Sequence, residues 1–189
     1  MRYAKIDNCE IVNGEDIGAT LYVQGCRRHC KGCFNPETWD FNGGKEWTDE
    51  VKSQFLTLVD RPYIKRVTIL GGEPLAYVNL PEVYDLVKTI KTKFPDKKIW
   101  LYTGYELSCG VNERGDLVGD FANADIGWDN GLLSNHIIRT CDVVVDGDFR
   151  DELKDYTLKF RGSSNQRLID VQATIKNGTI TLWGDDDGK

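Results

Sequence analysis

Short runs of hydrophobic residues, separated by polar turn signals, predict a chain of alternating strands and helices. Residues 3–12 and 18–24 form two extended segments with an Asn-Gly turn signal between them. Residues 65–70 (KRVTIL) are rich in β-branched and aliphatic side chains and predict a buried strand. Residues 98–102 (KIWLY) have the same character. We therefore expect four strands in the first half of the chain.

Two helices are predicted between these strands. Thr48 can cap the first through its side-chain oxygen, and this helix runs to about Leu58. The second begins at Leu80, has Pro81 in its first turn and continues to about Phe94, with apolar residues at helical spacing. Because helices and strands alternate, the pattern favours strand–helix–strand units.

The second half of the chain departs from this rhythm. Residues 108–131 are rich in Gly, Asn and Asp and lack a clear period, so we expect a loop insertion there. A short helix at 132–139 and a strand at 141–145 follow. Residues 167–183 alternate around an Asn-Gly pair, which predicts a C-terminal β-hairpin.

The predicted order of elements indicates an α/β fold with a parallel sheet, in a single domain over residues 1–189. In such sheets, ligands bind beyond the carboxyl ends of the strands. The unusual segments of this chain all follow predicted strands: a cysteine-rich loop, Gly71-Gly72-Glu73-Pro74, Thr103-Gly104 and Asp146-Gly147. Four strand ends are expected to converge on one site, which indicates an enzyme.

Composition and charge disfavour several classes of protein. The chain has 189 residues, 40% of them hydrophobic, and a formal net charge of −6. That charge argues against sequence-independent binding of nucleic acid through a basic surface. No apolar run approaches the roughly 20 residues of a membrane span, and the first residues lack the apolar core of a signal peptide. We expect a cytoplasmic protein that binds neither nucleic acid nor membrane.

The six cysteines are unevenly distributed. Cys26, Cys30 and Cys33 are crowded into one short segment. The other three are scattered, and we expect ordinary thiols at these positions: Cys9, Cys109 and Cys141. Disulfides are not favoured in a chain of this size that lacks a secretory signal. A crowded set in a reducing compartment indicates metal binding or catalysis instead.

The number of thiolates narrows the choice of metal. Thiolates suit iron–sulfur clusters, zinc and copper(I). A structural zinc site requires four ligands, and the nearest candidate for a fourth, His29, is adjacent to Cys30 and poorly placed to complete the same tetrahedron. Three thiolates on a 4Fe-4S cluster leave one iron open to a small molecule. The spacing therefore favours such a cluster, with zinc as the alternative.

Several stretches of sequence carry a family resemblance. Cys-x3-Cys-x2-Cys after one strand and Gly-Gly-Glu-Pro after another resemble the radical S-adenosylmethionine enzymes. Residues 30–40 (CKGCFNPETWD) resemble the glycyl-radical-enzyme activases. Three further stretches resemble the activases of the anaerobic ribonucleoside-triphosphate reductase: 100–105 (WLYTGY), 142–149 (DVVVDGDF) and 161–167 (RGSSNQR). The resemblance covers about residues 17–170, apart from 108–131.

This resemblance implies a fold, a reaction and partners. The fold is an open, partial (β/α) barrel of the radical SAM type, since a full eight-fold barrel needs about 250 residues. The open iron binds S-adenosylmethionine, and an electron from the reduced cluster cleaves it to methionine and a 5′-deoxyadenosyl radical. That radical abstracts hydrogen from a glycine of the anaerobic reductase. A flavodoxin-type protein is the expected electron donor.

The resemblance also implies roles for individual residues. The three crowded cysteines match the cluster ligands. The carbonyls of Gly71 and Gly72 and the carboxylate of Glu73 match the edge that receives the methionine ammonium. Thr103 and Asp146 match strand-end polar positions, for the methionine carboxylate side and for ribose or partner contacts.

Two residues beside the third cysteine correspond to the adenine contact of the family. They are Gly32 and Phe34. Many relatives have an aromatic residue at the position of Gly32, where this chain offers only backbone. We therefore expect adenine stacking to come from elsewhere, with Phe34 as the candidate.

Two other functions remain open from the sequence. One is a radical SAM enzyme that acts on a small molecule, of the deazapurine synthase type. The Arg161–Arg167 stretch, which matches the activases, argues against it. The other is a zinc or iron–sulfur protein without catalysis. Unlike the activase and the small-molecule enzyme, such a protein would release no 5′-deoxyadenosine from S-adenosylmethionine.

Overall fold

The computed structural model describes residues 1–111, 117–119 and 128–184, with backbone only at 108–111, 117–119 and 128–130. The strands are β1 Arg2–Glu10, β2 Gly18–Val23, β3 Lys45–Glu46, β4 Arg66–Gly71, β5 Lys98–Tyr102, β6 Leu107–Val111, β7 Leu117–Gly119, β8 Val143–Asp146 and β9 Arg167–Asp170. The helices are α1 Asp49–Val59, α2 Leu80–Lys93, α3 Trp128–Thr140 and α4 Val171–Asn177. None of the helices in the described part of the chain is long and apolar enough to cross a membrane.

Seven strands form one sheet in the order β3-β1-β2-β4-β5-β8-β9. The central four, β2, β4, β5 and β8, are parallel, and β1, β3 and β9 run antiparallel to their neighbours. Among the described strands, the edge strands β3 and β9 do not pair with each other, so the sheet is not closed. The mixed α/β class and the parallel centre are confirmed.

The parallel strands are buried on both faces, as their hydrophobic runs predict. Because side chains alternate along a strand, one set meets the helices in the main core: Ala19, Leu21, Val67, Ile69, Ile99, Leu101 and Val144. The opposite face carries a second apolar cluster of Trp100, Val143, Val145 and Leu168. This packing fixes the strands and brings their carboxyl ends level, with Val23 opposite Gly71.

The predicted helices α1 and α2 are confirmed. The Thr48 hydroxyl accepts a hydrogen bond from the Val51 N–H at 3.4 Å and caps α1. Helix α2 has Pro81 in its first turn, where the missing N–H has no intrahelical partner to lose. Its apolar stripe is fully buried: Leu80, Val83, Leu86, Val87 and Ile90.

The predicted C-terminal β-hairpin is wrong. Strand β9 pairs with β8 and continues directly into helix α4. The Asp170 carboxylate accepts from the Ala173 N–H at 2.8 Å and caps this helix. The Asn-Gly pair ends it, because Gly178 has φ +71 and adopts the left-handed conformation of a helix C-terminus. The buried residues of this segment, Val171 and Thr174, follow helical spacing rather than the alternation of a strand.

Residues beyond α4 do return to β9, so one feature of the hairpin survives. The Trp183 N–H donates to the Leu168 carbonyl at 2.8 Å, and the Asp170 N–H to the Thr181 carbonyl at 2.9 Å. After helix α4, the tail therefore forms a short extended segment along the outer edge of β9.

The loop insertion predicted at 108–131 contains regular structure at both of its described ends. Strands β6 and β7 pair antiparallel as a separate two-stranded sheet. Helix α3 begins at Trp128, four residues before the predicted start of a helix at 132. Residues 112–116 and 120–127 lie outside the described residues. The polar, glycine-rich composition gave no period from which these elements could be predicted.

Candidate functional site

A cavity of about 720 Å³ lies at the carboxyl ends of the parallel strands. Each of the four strand ends contributes to its wall, as the sequence predicts. The wall includes the three crowded cysteines, residues 71–73, Thr103, Gly104 and residues 147–149. Residues 158–162, from the segment between β8 and β9, line another part of it. The strand ends therefore meet at one site.

The cysteine loop is closed on itself by backbone hydrogen bonds. The Gly25 N–H donates to the Thr38 carbonyl at 2.7 Å, and the Cys26 N–H to the Trp39 carbonyl at 3.1 Å. The His29 ring stacks on Trp39, with ring centroids 4.6 Å apart. These contacts hold the loop so that all three cysteines line the cavity.

A backbone N–H group points at the sulfur of Cys33, since the Asn35 N–H donates to it at 3.4 Å. Burial raises the pKa of the Cys26 thiol to about 11, and the nearby Glu73 charge acts in the same direction. Burial also raises the pKa of Cys30. Thiolates at these positions need a compensating positive charge, which a bound metal centre would supply.

The donor set has the chemistry of an iron–sulfur site. All three cysteines line the cavity, although within residues 1–111, 117–119 and 128–184 no three His, Cys, Asp or Glu side chains are grouped closely enough to hold one metal ion. Soft thiolates with N–H donors at their sulfurs are the ligands that iron–sulfur clusters use.

Two glycines let the end of β4 approach the cysteine loop. Gly71 has φ +103, a conformation that L side chains rarely adopt. A Cβ on Gly72 would lie 2.6 Å from the Gly25 carbonyl oxygen. The Glu73 N–H donates to that same oxygen at 2.8 Å. The Gly-Gly-Glu-Pro segment therefore lies directly against the loop that carries the cysteines.

The carboxylate of Glu73 is buried and accepts three hydrogen bonds. Its Oε1 accepts from the Leu75 N–H at 3.0 Å and the Thr103 hydroxyl at 2.8 Å, and its Oε2 accepts from the Gly104 N–H at 2.9 Å. Burial raises the pKa of Glu73, although these bonds and the Arg28 charge oppose the shift. Glu73 thus joins the ends of β4 and β5 at the cavity wall.

The structure does not bring every predicted residue to the cavity wall. Asp146 is buried behind it, where it accepts from Arg167 Nε at 3.0 Å and from the Leu107 N–H at 2.9 Å. Gly32 is exposed and packs against Asp151 and Phe149, which would meet a Cβ at 2.8 and 3.3 Å. Cys141 lies in the main core, and the side chain of Cys109 lies outside the described residues.

Phe34 lies at the rim of the cavity and is 57% exposed. Its ring meets that of Phe149 edge to face at 5.2 Å, and Lys154 lies over it at 5.2 Å. A Cβ on Gly162 would collide with the Phe34 ring. The rim therefore has an aromatic pair where the sequence suggested one aromatic residue.

Comparison with known proteins supports the chemistry of this site. The sequence model of the family described as 4Fe-4S single cluster domain matches residues 12–169. Proteins named anaerobic ribonucleoside-triphosphate reductase-activating protein are 35% identical in Escherichia coli K12 and 36% in Vibrio cholerae, each covering 88% of this chain and 96% of the relative. One from phage T4 is 32% identical, over 89% of this chain and 93% of the relative.

The chain belongs to this family of activating proteins. The matched span includes the cysteine loop and all four strand ends that meet at the cavity. It stops within β9, so helix α4 and the tail lie beyond it.

Two polar residues that brace the site, Gln24 and Asn79, were not predicted from the sequence. Gln24 Nε2 donates to the carbonyls of Glu37 and Asp40, at 3.0 and 2.8 Å, and thereby holds the chain that follows the cysteines. Asn79 Nδ2 donates to the carbonyls of Gln24 and Glu73, each at 3.0 Å. A polar residue at the end of an apolar strand was the available signal for Gln24. For Asn79 the sequence offers no such signal, because its hydrogen-bond partners include Gln24, which is distant in the chain.

Proposed function

We propose that this protein activates an anaerobic ribonucleoside-triphosphate reductase by reductive cleavage of S-adenosylmethionine, with a 4Fe-4S cluster on Cys26, Cys30 and Cys33. When bound, the reduced cluster supplies the electron that converts S-adenosylmethionine to methionine and a 5′-deoxyadenosyl radical, which takes hydrogen from a glycine of the reductase. A flavodoxin-type protein is the proposed electron donor. The observation that carries the proposal is the shared cavity of three thiols and the Gly71–Glu73 segment.

The methionine end of S-adenosylmethionine is assigned to the Gly71–Glu73 edge. Gly71 and Gly72 present only backbone to the cavity, so their carbonyls are the proposed acceptors for the ammonium. Glu73 has three donors for about four acceptor positions and adds its negative charge beside them. Thr103 acts through Glu73, and we assign Asp146 to bracing the wall from behind.

The adenosyl end is assigned to the aromatic rim. Phe34 and Phe149 both line the cavity and contact each other edge to face. A purine ring can therefore pack against the ring of either phenylalanine. Gly32 has no side chain to stack on adenine, and its backbone lies close to the Phe149 ring. The missing aromatic residue beside Cys33 is thus replaced by one from the turn after β8.

The open sheet suits a macromolecular substrate. The glycine of a partner protein has to reach the adenosyl group, and a sheet whose edges do not meet leaves the cavity accessible from outside. This accessibility favours a partial barrel over a closed one, and it favours a protein substrate over a small molecule.

The test is anaerobic reconstitution with iron and sulfide, followed by reduction in the presence of S-adenosylmethionine and the anaerobic reductase. We expect a brown protein, release of 5′-deoxyadenosine and a glycyl radical signal in electron paramagnetic resonance. Cys26→Ala should abolish the radical signal and retain binding to the reductase. A colourless protein with one tightly bound zinc ion would overturn the proposal.

A further inference from the structure

The connection between β1 and β2, residues 11–17, presents two adjacent apolar side chains to solvent. Ile11 is 69% exposed and Val12 is 71% exposed, so neither contributes to the core. Val12 also lines the cavity whose wall carries the three cysteines. An exposed apolar pair at the edge of a functional cavity is typical of a surface that binds another molecule, because its contact with water costs free energy that a partner recovers.

One buried cation holds this connection in place. Arg66, on the central strand β4, is fully buried. Its guanidinium donates to the carbonyls of Asn13 at 2.9 Å and Glu15 at 2.8 Å. It also donates to the carbonyls of Glu10 and Asp16, each at 3.3 Å. A single side chain from the centre of the sheet therefore fixes four backbone positions at the start of the connection and along it.

The carboxylate of Glu10 and a glycine complete this arrangement. Glu10 Oε2 accepts from the Val12 N–H at 2.7 Å and from the Asn13 N–H at 3.0 Å. Its Oε1 accepts from Arg66 Nη1 at 2.8 Å. Gly14 has φ +135, and a Cβ there would lie 2.7 Å from Arg66 Cδ. The apolar pair is therefore carried by a preorganised segment of chain.

The two acidic residues on this side of the cavity are paired within the chain. Glu10 and Asp7 both line the cavity. Glu10 pairs with Arg66 at 2.8 Å, and Asp7 pairs with Lys5 at 3.2 Å. Because these charges are already compensated, we expect an occupant of this end of the cavity to be held by apolar contact.

A second segment borders the same end of the cavity. A Cβ on Gly14 would lie 2.8 Å from the Trp100 ring, and the Phe160 ring meets that ring edge to face at 5.4 Å. The Tyr102 hydroxyl holds the Phe160 carbonyl at 2.7 Å. Phe160 and Leu158 line the cavity, as Val12 does. An extended chain that enters here would therefore contact apolar side chains from both segments.

We propose that Ile11 and Val12 are the docking point for the segment of the anaerobic reductase that carries its reactive glycine. This inference rests on the proposed function, which requires that segment to reach the cavity. Val12 belongs both to the exposed pair and to the cavity wall, so a segment bound on the pair continues directly toward the thiols. The occupant is a peptide segment with apolar side chains beside its glycine. A rigid docking point lowers the entropy lost on binding.

The experiment is an anaerobic titration of reconstituted protein with the anaerobic reductase, followed by calorimetry. Ile11→Ser combined with Val12→Ser replaces two exposed apolar side chains by small polar ones, and the lost apolar burial should weaken binding about tenfold or more. Leu132→Ser is the matched control, because Leu132 is 59% exposed on helix α3 and does not line the cavity. Its affinity should equal that of the wild type. Equal affinity of the wild type and the double variant would overturn the proposal.

Salt separates an apolar contact from an ionic one. The difference in affinity between wild type and double variant should be the same at low and at high salt, because screening weakens interactions between charges. A difference that disappears at high salt would show that the contact is ionic and would contradict the proposal.

Formation of the glycyl radical supplies a second measurement. In the double variant the radical yield should fall at low reductase concentration and recover at saturating reductase, because the substitutions weaken docking. A loss that saturating reductase does not restore would place the pair in the chemistry and contradict a docking role.

The competing occupant of the apolar pair is a second copy of this chain. A wild-type dimer that the double substitution dissociates, with unchanged affinity for the reductase, would overturn the proposal. A wild-type protein that binds the reductase through this pair but generates no glycyl radical would refute the proposed function and leave this inference standing. Radical formation by a double variant that binds as tightly as the wild type would do the reverse.

Discussion

The hydroxyl of Thr103 donates a hydrogen bond of 2.8 Å to the buried carboxylate of Glu73, which joins the ends of two parallel strands. Glu73 follows β4 and Thr103 follows β5. Because Gly72 lies against the Gly25 carbonyl, the cysteine loop after β2 is tied to the same point. Three strand ends are thus held at the cavity by one carboxylate and its neighbours.

Removal of the Thr103 hydroxyl should destabilise the protein. Thr103→Val keeps the shape but leaves the buried Glu73 carboxylate with one donor fewer, which costs about 1–3 kcal/mol. Denaturant unfolding of the iron-free protein measures the loss. Thr103→Ser retains the hydroxyl and should recover most of it, and equal stability of the Val and Ser variants would show that the bond contributes little.

The cluster should depend on the crowded cysteines and on no scattered thiol that the structure describes. Cys33→Ala removes a proposed ligand, so we expect most of the iron and the brown colour to be lost. Cys9→Ala is the matched control, because Cys9 is an exposed thiol on β1. Iron and sulfide content after reconstitution measures both. Equal loss in the two variants would contradict the assignment of Cys33.

Much of the fold could be predicted from the sequence because its central strands are nearly continuous apolar runs. Strands of this composition are apolar on both faces and are therefore buried in the sheet. The glycine and proline residues that follow them mark where the chain turns. The end of the chain was predicted wrongly because Leu168 and Ile169 fit a strand, while Val171 and Thr174 fit a helix only when counted at helical spacing. A short segment that changes period offers too few residues to separate the two.

The candidate site was predictable as far as its residues are local. The cysteine loop and Gly71–Glu73 each lie in a short motif, and their place on the cavity wall follows from the parallel sheet. Asp146 and Phe149 are different, since their positions depend on contacts with residues distant in the chain. Asp146 is turned toward Arg167, and Phe149 occupies the space beside Gly32. No spacing rule specifies such contacts.

A methyl group on Gly72 should separate the Gly-Gly-Glu-Pro segment from the cysteine loop. The new Cβ in Gly72→Ala would lie 2.6 Å from the Gly25 carbonyl oxygen, which is backbone and cannot rotate away. We expect lower cluster occupancy and weaker binding of S-adenosylmethionine, measured by iron content and equilibrium dialysis.

Gly131→Ala is the control for that substitution. Gly131 lies in helix α3, and a Cβ added there would meet no described atom within 4 Å, so alanine should fit and stabilise the helix by about 0.5–1 kcal/mol. Iron content should remain at the wild-type value. A Gly72→Ala protein with full iron content and normal binding would contradict the close approach of the two segments.

Helix α4 can be tested through its cap. Asp170→Ala removes the side chain that accepts from the Ala173 N–H, and loss of such a cap costs about 1 kcal/mol. Asp170→Ser supplies another capping oxygen and should restore part of the stability. A β-hairpin over these residues would show no preference for a capping side chain, so identical unfolding of the Ala and Ser variants would count against the helix.

Acid stability should depend on the buried pair of Arg66 and Glu10. Arg66 Nη1 lies 2.8 Å from Glu10 Oε1, and Arg66 is fully buried. Burial alone would raise the pKa of Glu10, but hydrogen bonds from Thr20 and Arg66, with further help from Asn13, outweigh burial and hold this pKa below its usual range.

A carboxylate with a lowered pKa stabilises the fold above its unfolded pKa of about 4.3, and this stabilisation is lost as the pH falls through the folded value. Glu10→Gln should therefore cost about 3 kcal/mol at neutral pH, because it leaves the buried Arg66 charge without its partner. Acidification from about pH 5 to pH 3 should then destabilise the wild type more steeply than the variant.

Glu46→Gln, which breaks an exposed pair with Arg2, should change stability by less than about 1 kcal/mol and keep the wild-type slope. Thermal unfolding of iron-free protein across this range measures the slopes, and parallel curves for wild type and Glu10→Gln would contradict a lowered pKa of Glu10.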